Sequence, residues 1–223
     1  MYKPINGLLK TLLLCVFGCI LWLLSCNITH AKEPYVIVID PGHGGENLGA
    51  EYEEYTEKDL NIVVAKAMQE ELNKYDNVIV YLTHDEDIDM SLKERAEFAK
   101  DKNADFLFCL HFNASVHQNL FGSEVWIPAY GEFYAKGYQF AEIQMQLMQE
   151  LGLYSRGIKT KLNDREQDYY GILRQCSARN VPSVLIEHCH LDHANDKPFY
   201  QQGEEQLKEL GRLDAEAVAK YFG

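Results

Sequence analysis

The stretch Tyr35-Val36-Ile37-Val38-Ile39-Asp40-Pro41-Gly42-His43-Gly44-Gly45 decides the fold. Its first five residues are aromatic or β-branched, with no polar position left to face water. That is the pattern of a strand buried on both faces, as in a parallel sheet covered by helices on both sides. The run stops at Asp40-Pro41 and enters a turn in which three glycines surround one histidine. The glycines free the backbone there, so the imidazole can be aimed without side-chain obstruction.

Working outward, apolar runs alternate with helical periods. Thr56 is placed to cap a helix whose apolar residues recur at Leu60, Val63, Val64, Ala67, Met68 and Leu72. Residues 77–82 read as a second strand. Ser91-Leu92-Lys93-Glu94 is a capping box opening a helix to about Lys102. Residues 106–112 form a third buried run and 124–127 a short fourth. Phe133, Phe140, Ile143, Leu147, Met148 and Leu151 give a helix closed by Gly152. Val184-Leu185-Ile186 is a further strand, and Leu207, Leu210, Leu213, Ala217, Val218 and Tyr221 mark the last helix. Between Gly152 and Pro182 the pattern is weak: a loop and short strand at 156–159, then a polar loop over one end of the sheet at 164–170. The expectation is a single α/β domain over residues 35–222 in three layers, a mainly parallel twisted sheet with helices on both faces.

The first 31 residues read differently. Lys3 and Lys10 precede an apolar run from Leu12 to Leu24, shorter than the roughly 20 residues that span a bilayer comfortably. This is the pattern of an export leader. Three fates fit it: cleavage after Thr29-His30-Ala31, lipidation of Cys26 in Leu23-Leu24-Ser25-Cys26, or an uncleaved membrane anchor. The protein is therefore expected outside the cell or in the cell envelope.

The whole chain carries 21 Lys+Arg against 34 Asp+Glu, a net charge of −13. The leader holds two of the basic residues and no acidic ones, so residues 32–223 carry 19 against 34, a net of −15. A compact nucleic-acid binder needs a basic footprint, which this balance excludes. Beyond the leader only Cys109, Cys176 and Cys189 remain, enough for at most one internal disulfide. Cys109 lies in an apolar run and reads as a buried thiol.

Function in open α/β sheets gathers just beyond the carboxyl ends of strands. Three buried runs end there in groups able to bind or serve a metal: His43 after the first, His111-Phe112-Asn113 after the third, and Glu187 after Val184-Leu185-Ile186. Glu57 opens the first helix on the same edge. Singly, each has a plain structural reading: a hydrogen-bonded turn histidine, a satisfied core histidine, a carboxylate favouring a helix dipole. Glu187 is harder to dismiss, because a carboxylate following an apolar run must find a partner. Together, two histidines and a glutamate make a catalytic zinc set with a fourth position open to water, and a further carboxylate can serve as base. His43, Glu57 and His111 fit the ligands of one zinc per chain, and Glu187 fits the base.

At this point the chain resembles the zinc-dependent N-acetylmuramoyl-L-alanine amidases of the amidase-3 type, which cut peptidoglycan. The resemblance runs from about Tyr35 to Tyr221. It rests on motifs in the family's order: Asp40 to Gly45, Glu57-Lys58-Asp59-Leu60, Glu94-Arg95-Ala96, Ala104-Asp105 leading to His111-Phe112-Asn113-Ala114, Gly122-Ser123-Glu124-Val125, Arg156-Gly157, Leu173-Arg174, and Pro182 to Glu187. It implies His43, Glu57 and His111 as zinc ligands and Glu187 as catalytic glutamate. The implied substrate is peptidoglycan or its muropeptides, cut at the amide between N-acetylmuramic acid and L-alanine. Asn113 and Arg174 are candidate substrate contacts, Asn113 otherwise tying down the turn and Arg174 otherwise a structural ion pair. Arg95, on a helix face, reads as structural. A monomer is expected, tethered to the membrane if the leader is retained or lipidated. The non-catalytic alternative is a wall-binding or regulatory module on the same fold.

One departure stands out. The family continues after its glutamate with a small residue, Gly-Phe and a downstream Asn, whereas here the chain reads His188-Cys189-His190-Leu191-Asp192-His193. Those six residues fit the His-x-His-x-Asp-His pattern of metallo-β-lactamase-like hydrolases. That reading needs a further histidine well downstream, and none follows His193. The expectation is that the cluster lines the rim of the zinc cleft, with a second metal there as the alternative.

Overall fold

Strand β1 (Tyr35–Pro41) is the strand expected from the opening run, and it pairs in parallel on both sides. On one side lies β4 (Val78–Leu82), on the other β5 (Phe106–Asn113). The computed structural model describes residues 33–223, of which 34–223 form one compact unit. The leader, Cys26 and the tether they imply lie outside the described residues. Among those described, no helix is long and apolar enough to cross a membrane.

The six-stranded sheet runs β4-β1-β5-β8-β6-β7, with β6 at Ser123–Trp126, β7 at Ser155–Lys159 and β8 at Ser183–His190. β8 is parallel to β5, but β6 is antiparallel to β8 and parallel to β7. The sheet is thus mainly parallel, with a reversed pair at one edge. A small two-stranded ribbon, β2 (Glu51–Tyr52) with β3 (Tyr55–Thr56), sits beside it.

Period-two alternation in β5 builds two cores. Phe106, Phe108, Leu110 and Phe112 face helices α1 (Glu57–Leu72), α3 (Gly131–Leu151) and α5 (Glu204–Phe222). Leu107 and Cys109 face the shorter α2 (Leu92–Asp101) and α4 (Gly171–Ser177). These are the three layers expected. The capping box of α2 is present in full, Ser91 accepting from the Glu94 N–H while the Glu94 carboxylate accepts from the Ser91 N–H. Gly152 closes α3 with φ 103°. Thr56 does stand at the N-cap of α1, but its hydroxyl donates to Asp59 instead of accepting from the helix. Cys109, Cys176 and Cys189 are buried and free, so no disulfide joins them.

Candidate metal centre

The first candidate ligand comes from the turn after β1. The Gly42 N–H donates to the Leu110 carbonyl (2.9 Å), carrying the β1–β5 pairing one residue further. The chain then reverses at His43, whose φ is +67°. A non-glycine residue in the left-handed region costs about 1–2 kcal/mol, so its neighbours must hold it there. Its ring is fixed by Asn47, whose Oδ1 lies 2.9 Å from His43 Nδ1, and Nε2 is left facing Glu57 Oε2 at 3.0 Å.

Glu57, the first residue of α1, is the centre of the group. Its Oε2 accepts from the Ala50 N–H (2.7 Å) and its Oε1 from the Phe112 N–H (3.0 Å). His111 Nδ1 lies 2.7 Å from the same Oε1. Burial works against the Glu57 charge, but the hydrogen bonds from His111 and His43 outweigh it and hold the carboxyl far below the usual carboxylate range. For His43, burial likewise opposes the charge, and Glu57 reverses the balance to leave its pKa raised. The two imidazoles stand edge to face, 4.9 Å between centroids.

Two glycines make room for this group. A Cβ on Gly42 would fall 2.3–2.7 Å from the His111 ring. One on Gly49 would fall 2.5 Å from Glu57 Oε2 and 2.6 Å from His43 Cδ2. The donor atoms of His43, Glu57 and His111 all lie within 4.8 Å of one another, the one such group among the described residues tight enough to hold a metal ion.

Glu187 faces the same cleft from β8, where it is the register partner of His111 on β5 and of Glu124 on β6. It is 6% exposed, and its buried Oε2 has no hydrogen-bond partner. Burial, then the charges of Glu57 and Glu124, push its pKa well above the ordinary carboxylate value. The cleft measures about 850 Å³; beyond these residues its wall includes Asp89, Leu92, Asn113, Tyr170 and Ile172.

Asn113 thus borders the cleft, but its amide is engaged: Nδ2 donates to Glu124 (3.3 Å) and Oδ1 accepts from the Ala114 N–H (2.9 Å). Arg174 does not border it. Its guanidinium donates to the carbonyls of Asp168 (2.5 Å) and Tyr169 (2.6 Å), holding the loop before α4.

The histidine cluster is also away from the cleft, which corrects the rim expectation. The β5–β8 register shifts between Glu187 and His190, and such a bulge re-aims the side chains that follow. His188 is fully buried, with Nε2 2.8 Å from Asp214 and Nδ1 3.1 Å from the His111 carbonyl. His190 Nδ1 meets the Gly122 carbonyl at 3.2 Å, and His193 stacks on Phe121. They do not converge on a second metal, and the metallo-β-lactamase pattern has no counterpart here.

The roles of three contributors carry no local signal in the sequence. Asn47 sits in an irregular loop. Glu124 gathers Trp126 of its own strand and Asn113, Arg156 and Lys159 of other segments around one carboxylate. Arg95 reaches the His43 turn across 52 residues.

A mainly parallel sheet that brings His43, His111 and Glu187 from its strand ends beside Glu57 at the start of α1 defines a class, the open α/β proteins with a candidate metal site at the sheet edge. Residues 37–220 match the model of the N-acetylmuramoyl-L-alanine amidase family Amidase_3, and the chain belongs to that peptidoglycan amidase family. It is 33% identical over 181 residues to the N-acetylmuramoyl-L-alanine amidase LytC of Bacillus subtilis, covering 77% of this chain and 33% of LytC. It is 30% identical over 202 residues to YqiI of the same organism, covering 89% of this chain and 90% of YqiI. Among solved structures, the N-acetylmuramoyl-L-alanine amidase from Clostridium difficile 630 is 27% identical with a TM-score of 0.74, covering 86% of this chain and 98% of that one. The chain thus spans a third of LytC and nearly all of YqiI.

Proposed function

We propose that this chain is an exported, zinc-dependent N-acetylmuramoyl-L-alanine amidase, with residues 35–222 as its catalytic domain and residues 1–31 as its leader. The observation that carries the reading is the meeting of His43, Glu57 and His111 with an unpaired, buried Glu187 in one cleft. The donor chemistry fits zinc. Two imidazoles and one carboxylate are a catalytic zinc set, and tetrahedral bonds of about 2.0–2.2 Å place neighbouring donors about 3.4 Å apart. The observed separations from Glu57, 3.0 Å to His43 and 2.7 Å to His111, are hydrogen-bonding distances shorter than that spacing, so the donors would move apart by less than about an ångström to take the ion.

Zinc held by His43, Glu57 and His111 would supply a Lewis acid that polarises the scissile carbonyl and lowers the pKa of water. The chain's own residues do the rest. Asn47 holds His43 Nδ1, which turns Nε2 toward the centre. The Ala50 and Phe112 N–H groups fix both oxygens of Glu57. Glu187 takes the proton of the attacking water and hands it to the alanine nitrogen as the C–N bond breaks. Glu187 borders the cleft, and its buried Oε2 spends none of its hydrogen-bonding capacity on another group.

The substrate is peptidoglycan or a muropeptide, at the amide between N-acetylmuramic acid and L-alanine, in keeping with the named activity of LytC. The test is release of new alanine amino groups from purified peptidoglycan. A strong chelator abolishes release and added zinc restores it. Binding to the wall without release, in the presence of zinc, would establish the non-catalytic alternative instead.

A further inference from the structure

We propose that Arg95 is the positioning residue of the metal centre: its guanidinium clamps the Pro41 and His43 carbonyls and so holds His43 in the left-handed conformation that aims its ring at Glu57. The proposal rests on the metal-centre reading above.

The geometry is specific. Arg95 Nη2 donates to the His43 carbonyl at 2.6 Å, and Nη1 donates to the Pro41 carbonyl at 2.6 Å and to Asp40 Oδ1 at 2.8 Å. Nε donates to the Met90 carbonyl at 2.8 Å, just before α2. One planar group therefore grips two carbonyls of the turn that carries His43 and ties it to the start of a helix. The capping box at Ser91 and Glu94 fixes that first helical turn, which sets the base of the Arg95 side chain. Arg95 is 3% exposed and Asp40 fully buried. Asp40 in turn accepts from Thr83 Oγ1 (2.7 Å) and from the Cys109 thiol (3.1 Å), so the clamp is anchored to β5.

The backbone at His43 explains why a clamp is needed. Its φ of +67° is unfavourable for a residue with a Cβ. The Gly44–Asn47 backbone pair holds the far side of the turn, with N–H···O distances of 3.0 Å and 3.1 Å. On the near side the Pro41 and His43 carbonyls are held by Arg95, with His84 Nε2 also 3.0 Å from Pro41 O. Lysine would keep the charge beside Asp40, but a single ammonium cannot reproduce the planar fork that reaches three oxygens and Met90 at once.

The test compares the full chain with Arg95→Lys. Zinc affinity is measured by competition with a chromogenic chelator, and ligand geometry by the visible absorption of the Co²⁺-loaded protein. Arg95→Lys is expected to bind zinc at least tenfold more weakly and to show an altered Co²⁺ spectrum while unfolding cooperatively. Val218→Ala, in the buried face of α5, is the control for lost stability alone and should keep the wild-type affinity and spectrum. The double variant Asp40→Asn/Arg95→Gln removes both charges of the buried pair together and is expected to weaken zinc as well, so the question stays open to measurement if Arg95→Lys fails to fold. Wild-type zinc affinity and Co²⁺ spectrum in a folded Arg95 variant would overturn the proposal. Absence of zinc binding by the wild-type chain would instead overturn the metal-centre reading on which it rests.

Discussion

Replacing Gly49 by alanine isolates the space requirement of the metal centre. Gly49 has φ +72°, and its added Cβ would lie 2.5 Å from Glu57 Oε2, 2.6 Å from His43 Cδ2 and 2.8 Å from Glu57 Cβ. Backbone strain alone accounts for about 1–2 kcal/mol. Relieving the clash requires Glu57 to move, which gives up at least its bond from the Ala50 N–H, and a hydrogen bond to a charged group contributes about 1.5–3 kcal/mol. Gly131 supplies the matched comparison: its φ is +66°, and a Cβ there meets nothing within 4 Å. Both variants carry the backbone strain; Gly49→Ala alone carries the clash. At about 2–4 °C per kcal/mol for a domain of this size, Gly49→Ala should melt roughly 3–12 °C below Gly131→Ala. A displaced Glu57 should also weaken zinc by roughly tenfold to a hundredfold, at 1.4 kcal/mol per factor of ten. Thermal unfolding of the metal-free chains and zinc competition on each supply both readings. Equal melting and equal zinc affinity in the two variants would refute the packing of Gly49 against Glu57.

Two other sites give independent checks. For His188, burial lowers the pKa but the Asp214 charge and hydrogen bond more than offset it, so the folded value lies above 6.5. Stability from that pair is therefore present below the unfolded value and is lost as pH rises through the folded one. The melting difference between wild type and His188→Gln should shrink as pH rises above 6.5, and a constant or growing difference would contradict it. Asp196 Oδ2 accepts from the N–H groups of Gly122 (2.6 Å) and His190 (2.7 Å). Asp196→Ala strands both donors at about 1–3 kcal/mol each, so denaturant unfolding should register a loss of stability with zinc affinity unchanged.

The strands that build the site were legible because burial on both faces leaves no room for polar residues. The runs ending at Asp40, His111 and Glu187 are all central strands, and they bring these groups to one edge. The capping box of α2 was legible because both its partners lie within four residues. Features set by distant partners were not. The reversal of β6 depends on β8, some sixty positions away, and two-residue strands such as β2 and β3 carry no period. Seven-residue α4 is too short to show a helical repeat. The spacing of His188 and His190 suggests residues at the rim of the cleft, while the bulge that turns them away arises from pairing with β5. Arg95 looked like an ordinary helix-face residue until the turn it grips was placed beside it.

In the proposed reaction Glu187 moves the proton as N-acetylmuramic acid is split from L-alanine at the His43–Glu57–His111 centre. Mass spectrometry of products from one defined muropeptide, with wild type and Glu187→Gln each loaded with zinc, tests it most directly. The wild type should give free stem peptide beginning with L-alanine, and the variant, still binding zinc, should release it at least about a hundredfold more slowly, the scale of general acid–base catalysis. Cleavage at another bond, or release by Glu187→Gln at the wild-type rate, would contradict it.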